Sequence, residues 1–138
     1  MEAIMPTELQ QASFSPALLW AGRIVTALVV LFFVFDGVTK IMKVTPVMEA
    51  CERLGLAPQA VVGIGCLLLL CTAIYCVPPT AGLGAVLLTG YLGGAAAIHV
   101  RGGSGWFEIA FSIAFGVLVW IGLALREPRL WGIILLRP

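Results

Sequence analysis

Residues 58–99 read PQAVVGIGCLLLLCTAIYCVPPTAGLGAVLLTGYLGGAAAIH, and this stretch decides the fold. It holds no Asp, Glu, Lys or Arg. Pro78-Pro79 divides it into apolar blocks at 58–77 and 79–99, each near the ~20 residues that a helix needs to cross a bilayer. So short a connection makes the two blocks antiparallel neighbours.

The same pattern continues on both sides. Upstream, an apolar block opens at Pro16, where a proline costs a helix nothing, and helical character extends to a span of about 17–42. Downstream, Gly102-Gly103-Ser104-Gly105 precedes a fourth span, about 105–126, which stops at Arg126-Glu127-Pro128 because proline restricts its predecessor. Residues 44–57 differ. Thr45 suits an N-cap, Pro46 the first helical position and Gly55 the stop. Val47, Met48, Cys51 and Leu54 fall on one side, with Glu49, Glu52 and Arg53 elsewhere. A helix over about 46–54 is too short to span and suits the membrane surface or the end of the bundle. The expected fold is all-α: a four-helix, up-and-down transmembrane bundle with this amphipathic helix between spans one and two.

Composition agrees. Of 138 residues, 61% are hydrophobic and only 11% charged, against about a quarter charged in soluble domains. That excludes a soluble globular protein. The length suits one domain, and a net charge of +1 argues against nucleic acid as a partner. The opening fifteen residues, with Glu2, Pro6 and Glu8, lack the basic start and apolar core of a cleavable signal peptide and read as a short extramembrane tail. The apolar tail at 129–138, with Trp131, is too short to cross and suits an interfacial anchor. Four spans put both ends on one side. Lys40, Lys43, Arg53 and Arg101 then oppose Arg23, Arg126, Arg129 and Arg137, a balance that assigns no orientation.

Few residues carry chemistry. Antiparallel packing brings Asp36, Lys40, His99, Arg101 and Glu108 to one membrane face. Asp36 and Lys40, four apart, can pair. The layer either handles a ligand or proton or ties helix ends together by ion pairs. Arg23, inside span one, either snorkels to the headgroups or meets Trp120; an Arg there also suits an anionic lipid or a quinone carbonyl. Gly90 and Gly94 form a G-x-x-x-G pair, which serves helix packing or leaves a groove for a flat ligand. Cys66, Cys71 and Cys76 recur every five residues and so share no helical face. With Cys51 they read as small apolar side chains rather than a redox pair. One His and these cysteines make a four-ligand metal site unexpected, and no phosphate-binding loop or other cofactor motif is present.

Asp36-Gly37-x-x-Lys40, the segment Gly84-Ala85-x-Leu87-Leu88-Thr89-Gly90-Tyr91-x-Gly93-Gly94-Ala95 with His99-x-Arg101, Trp120 and Leu125-Arg126-x-Pro128-Arg129-Leu130 together resemble the DoxX-like family of small four-span membrane proteins. The likeness covers about 17–130. It departs at Trp131-Gly132 and around Trp106 to Ala110, so Glu108 is not carried over as a family residue. The resemblance implies a four-helix bundle, in a family whose relatives are associated with quinone-linked sulfur oxidation or with membrane complexes handling oxidative stress, alongside soluble redox partners.

The leading expectation is a non-catalytic anchor or accessory subunit, acting with a protein partner or as a homo-oligomer in the bacterial inner membrane. The alternative is a quinone- or lipid-binding oxidoreductase subunit using Asp36, Lys40, His99 and Arg101. A small-solute transporter is the weaker third reading, because the spans carry few charges at mid-depth.

Overall fold

The computed structural model describes residues 15–130. The expectations for the opening tail and for the chain beyond Leu130 lie outside the described residues. Those described form helices and no strand: α1 (Pro16–Ile41), α2 (Thr45–Arg53), α3 (Pro58–Cys76), a 3-10 turn (Pro78–Thr80), α4 (Ala81–Arg101) and α5 (Trp106–Arg126). Helices α1, α3 and α5, and the 3-10 turn joined to α4, are long and apolar enough to cross a membrane. A helix satisfies its own backbone groups, which lipid cannot do.

The local signals act largely as their chemistry dictates. Ser15 caps α1, its hydroxyl accepting from Leu18 N at 3.4 Å. Gly55, at φ +80°, takes the left-handed conformation that turns the chain out of α2 into α3. The α2 boundary shifts by one residue: Val44 is the N-cap and Thr45 is helical. Pro79 sits within the 3-10 turn and α4 opens at Ala81.

The four long helices form a ring in the order α1, α3, α4, α5, each packed on its two antiparallel neighbours. Inside it lie Val29, Phe33, Leu68, Tyr75, Leu88, Val119 and Leu123, each at most 2% exposed. Leu28, Leu31, Phe35, Leu70, Val86 and Ile113 stay on the outside, as a lipid-facing surface requires. Lipid tails are as apolar as leucine, so helices associate by close contact rather than by escape from water. Glycines supply that contact. A Cβ at Gly84 of α4 would collide with the backbone of Tyr75 on α3, and one at Gly65 would come within 2.9 Å of the Gly37 carbonyl on α1.

Gly90 and Gly94 are placed differently. A Cβ at either meets nothing within 4 Å, and both line a cavity. Within this chain the G-x-x-x-G pair provides room on a cavity wall.

Candidate functional site

The cavity opens inside the ring, at the membrane face where α1 and α4 end. It has a volume of about 740 Å³, within the 300–1,000 Å³ typical of small-molecule sites. Phe32 and Phe33 of α1, Ile64, Leu67 and Cys71 of α3, and Phe111 and Phe115 of α5 form three walls. Gly90, Tyr91, Gly94, Ala95 and Ile98 of α4 form the fourth.

Helix α2 closes the outer end. Val47, Ala50, Cys51 and Leu54 turn toward the cavity, while Glu49, Glu52 and Arg53 are exposed. Its amphipathic pattern thus finds its apolar partner inside the protein. Leu54 packs on Gly102, where a Cβ would come within 2.7 Å of Leu54 Cδ2. Burial pushes the Cys51 thiol above its usual range. Nearby Lys40 opposes the shift and Asp36 adds to it.

Three polar side chains meet the cavity near this end. Lys40 donates to the Asp36 carboxylate one helical turn away. The pair is sheltered, with Lys40 at 14% and Asp36 at 30% side-chain exposure, so bulk water screens it less than a surface pair. His99 is the third. Gly103, at φ +67°, folds the chain so that Ser104 N donates to the His99 carbonyl at 3.0 Å. The Ser104 hydroxyl also lies 3.0 Å from His99 Nδ1. That contact orients the ring and leaves Nε2 for another partner.

The expected five-residue layer therefore divides. Asp36, Lys40 and His99 line the cavity; Arg101 and Glu108 are exposed and outside its lining. Arg101 lies two residues beyond His99, about 200° around the helix, and cannot share its face. Glu108 occupies the first turn of α5, where a negative charge suits the helix's positive end. Arg23 is exposed, and its guanidinium lies 5.5 Å from the Trp20 ring centroid. The expected alternative partner, Trp120, instead donates its indole N–H to Thr89 Oγ1 at 2.9 Å. Trp20 stands three residues from Arg23 on the same helix, so it is the nearer ring.

Other cavity residues escaped the sequence reading. Cys51 and Cys71 lie on different helices yet both line it; spacing along one helix could not pair them. Tyr91 joins them, and Phe111 meets Phe32 edge to face while Phe115 lies tilted against it, at centroid distances of 5.5 and 4.3 Å. A second polar centre lies at the opposite membrane face. Arg126 Nη2 donates to the Tyr75 carbonyl at 2.6 Å, and the Tyr75 hydroxyl donates to the Val119 carbonyl at 2.8 Å. Its signal was present, since α3 and α5 must end on the same face.

Among the described residues no group of three or more His, Cys, Asp and Glu side chains could hold a metal ion. The cavity's polar groups can hydrogen-bond a ligand, hold a charge and exchange protons. A family model described as the DoxX-like family matches residues 24–122. That span takes in Asp36, Lys40 and His99. No curated protein and no solved structure matched the chain.

Proposed function

This chain belongs to the DoxX-like family, and we propose that it binds the head of a membrane-dissolved, quinone-type ligand as partner subunit to a separate redox protein. One observation carries the reading: an apolar cavity of about 740 Å³ holds the Asp36–Lys40 pair and His99 near one end. A quinone fits that chemistry. Its carbonyls accept hydrogen bonds, and Lys40 has more donors than the one given to Asp36. His99 Nε2 is a further polar contact, and Phe32, Phe111 and Phe115 offer ring faces. Asp36, Lys40 and His99 move protons rather than electrons, which is the reason for assigning electron transfer to a partner. The same reading assigns the protein to the bacterial inner membrane.

The test is purification in a gentle detergent, followed by mass spectrometry of co-purifying small molecules and proteins. It compares wild type with a double variant, Asp36→Asn with Lys40→Met, which removes both charges together and leaves neither unpaired. The expected result is a quinone at near-stoichiometric amount in wild type and its loss from a variant with unchanged helicity. Equal retention by both, or a protein partner with no small molecule, would overturn the reading in favour of a plain anchor.

A further inference from the structure

A second hollow lies on the outer, lipid-facing side of the α4–α5 seam. It holds about 550 Å³ and is floored by small residues, Gly93 and Ala96 of α4 and Gly116 of α5. Trp120 and Thr89, hydrogen-bonded to each other, form its far wall. Leu92 and Ser112 line both this groove and the inner cavity. The two spaces are therefore neighbours separated by two side chains. Leu92, 8% exposed, lies against Gly116 of α5 at that seam, where a Cβ would come 3.8 Å from its Cδ1.

We infer that the ligand reaches the cavity sideways from the bilayer, between α4 and α5, and leaves a single long hydrocarbon tail in the outer groove. The inference rests on the cavity reading above and adds the ligand's class and route. From Ser112 to Ala124 the groove follows α5 for about 18 Å at 1.5 Å per residue. That exceeds the ~15 Å of hydrocarbon in one leaflet, and it begins below a head already bound near one membrane face. A diacyl phospholipid ends near the midplane and would need room for two tails. A single-tailed polyprenyl lipid fits that length and needs room for one chain only. Small residues at 93, 96 and 116 keep the groove open, and none of the nearby charges reaches it.

The experiment measures equilibrium binding of two probes to the full protein in nanodiscs: a tail-less benzoquinone, and the same benzoquinone carrying a decyl tail. Wild type is compared with Gly93→Leu. A Cβ at Gly93 meets nothing within 4 Å, so the leucine fills groove rather than displacing a neighbour. A circular-dichroism melt confirms that the variant folds. The expected outcome is a loss of about tenfold or more in affinity for the tailed probe, with the tail-less probe bound as in wild type. Unchanged binding of both probes would overturn the groove inference and leave the cavity reading intact. Failure of wild type to bind the tail-less probe would overturn the cavity reading and, with it, the groove assignment.

Discussion

The guanidinium of Arg126 lies over the Tyr75 ring, 4.6 Å from its centroid, while its Nη2 donates to the Tyr75 backbone carbonyl at 2.6 Å. One side chain from the end of α5 thus caps the end of α3, across the diagonal of the ring. Tyr75 completes the link by donating its hydroxyl to the Val119 carbonyl of α5. A positive charge at a helix C-terminus is favourable, and here it meets a carbonyl near the end of α3.

Arg126→Ala removes a charge-assisted hydrogen bond, worth about 1.5–3 kcal/mol, together with the ring contact. Tyr75→Phe removes one interhelical hydrogen bond, which averages ~0.6 kcal/mol in membrane proteins. The expected order of thermal stability in detergent is therefore wild type, then Tyr75→Phe close behind, then Arg126→Ala well below. Equal melting of wild type and Arg126→Ala would show that the cap contributes nothing.

Gly84 is the tightest of the glycine contacts, facing the backbone of Tyr75. Backbone cannot move aside as a side chain can, so Gly84→Leu should force α4 from α3 and destabilise by about 1–3 kcal/mol or more. Gly90→Leu, with an open neighbourhood, serves as the control for adding the same side chain to the same helix. A chemical-denaturation series in detergent separates them: Gly84→Leu should unfold early and Gly90→Leu with wild type.

Cys51 offers a pH readout of the buried roof. Its thiol titrates above the usual value of 9.0, chiefly because of burial, and only the thiolate is alkylated. The rate of Cys51 alkylation in the folded protein should rise at higher pH than in the denatured protein. The sign for stability follows: the contribution is present while the thiol is protonated and is lost as pH rises through the raised value. Mass spectrometry of peptides after timed alkylation resolves the thiols. Coincident Cys51 profiles in the folded and denatured protein would contradict burial under α2.

The bundle was legible because its signals are local. Apolar block length, the Pro78-Pro79 break and the Pro46 to Gly55 helix each report on a few neighbouring residues. Asp36–Lys40 pairing was legible for the same reason, being one turn of one helix. The cavity was not, because it depends on what fails to pack. Gly90 and Gly94 spell a packing motif, and only the ring order of the helices puts them on an open wall. Likewise Cys51 and Cys71 become cavity neighbours through the docking of α2, and Arg101 separates from His99 through helical phase.

Phe111, His99 and Gly94 line the space that, on this reading, receives the head of a ligand. The most direct test is binding of the tail-less benzoquinone to wild type and to Gly94→Leu in nanodiscs. A Cβ at Gly94 meets nothing within 4 Å and the residue lines the cavity, so leucine should fill the site while the helices remain packed. Saturable binding to wild type is expected, with its loss from a Gly94→Leu protein that melts at the wild-type temperature. Wild-type affinity in that variant would contradict the reading.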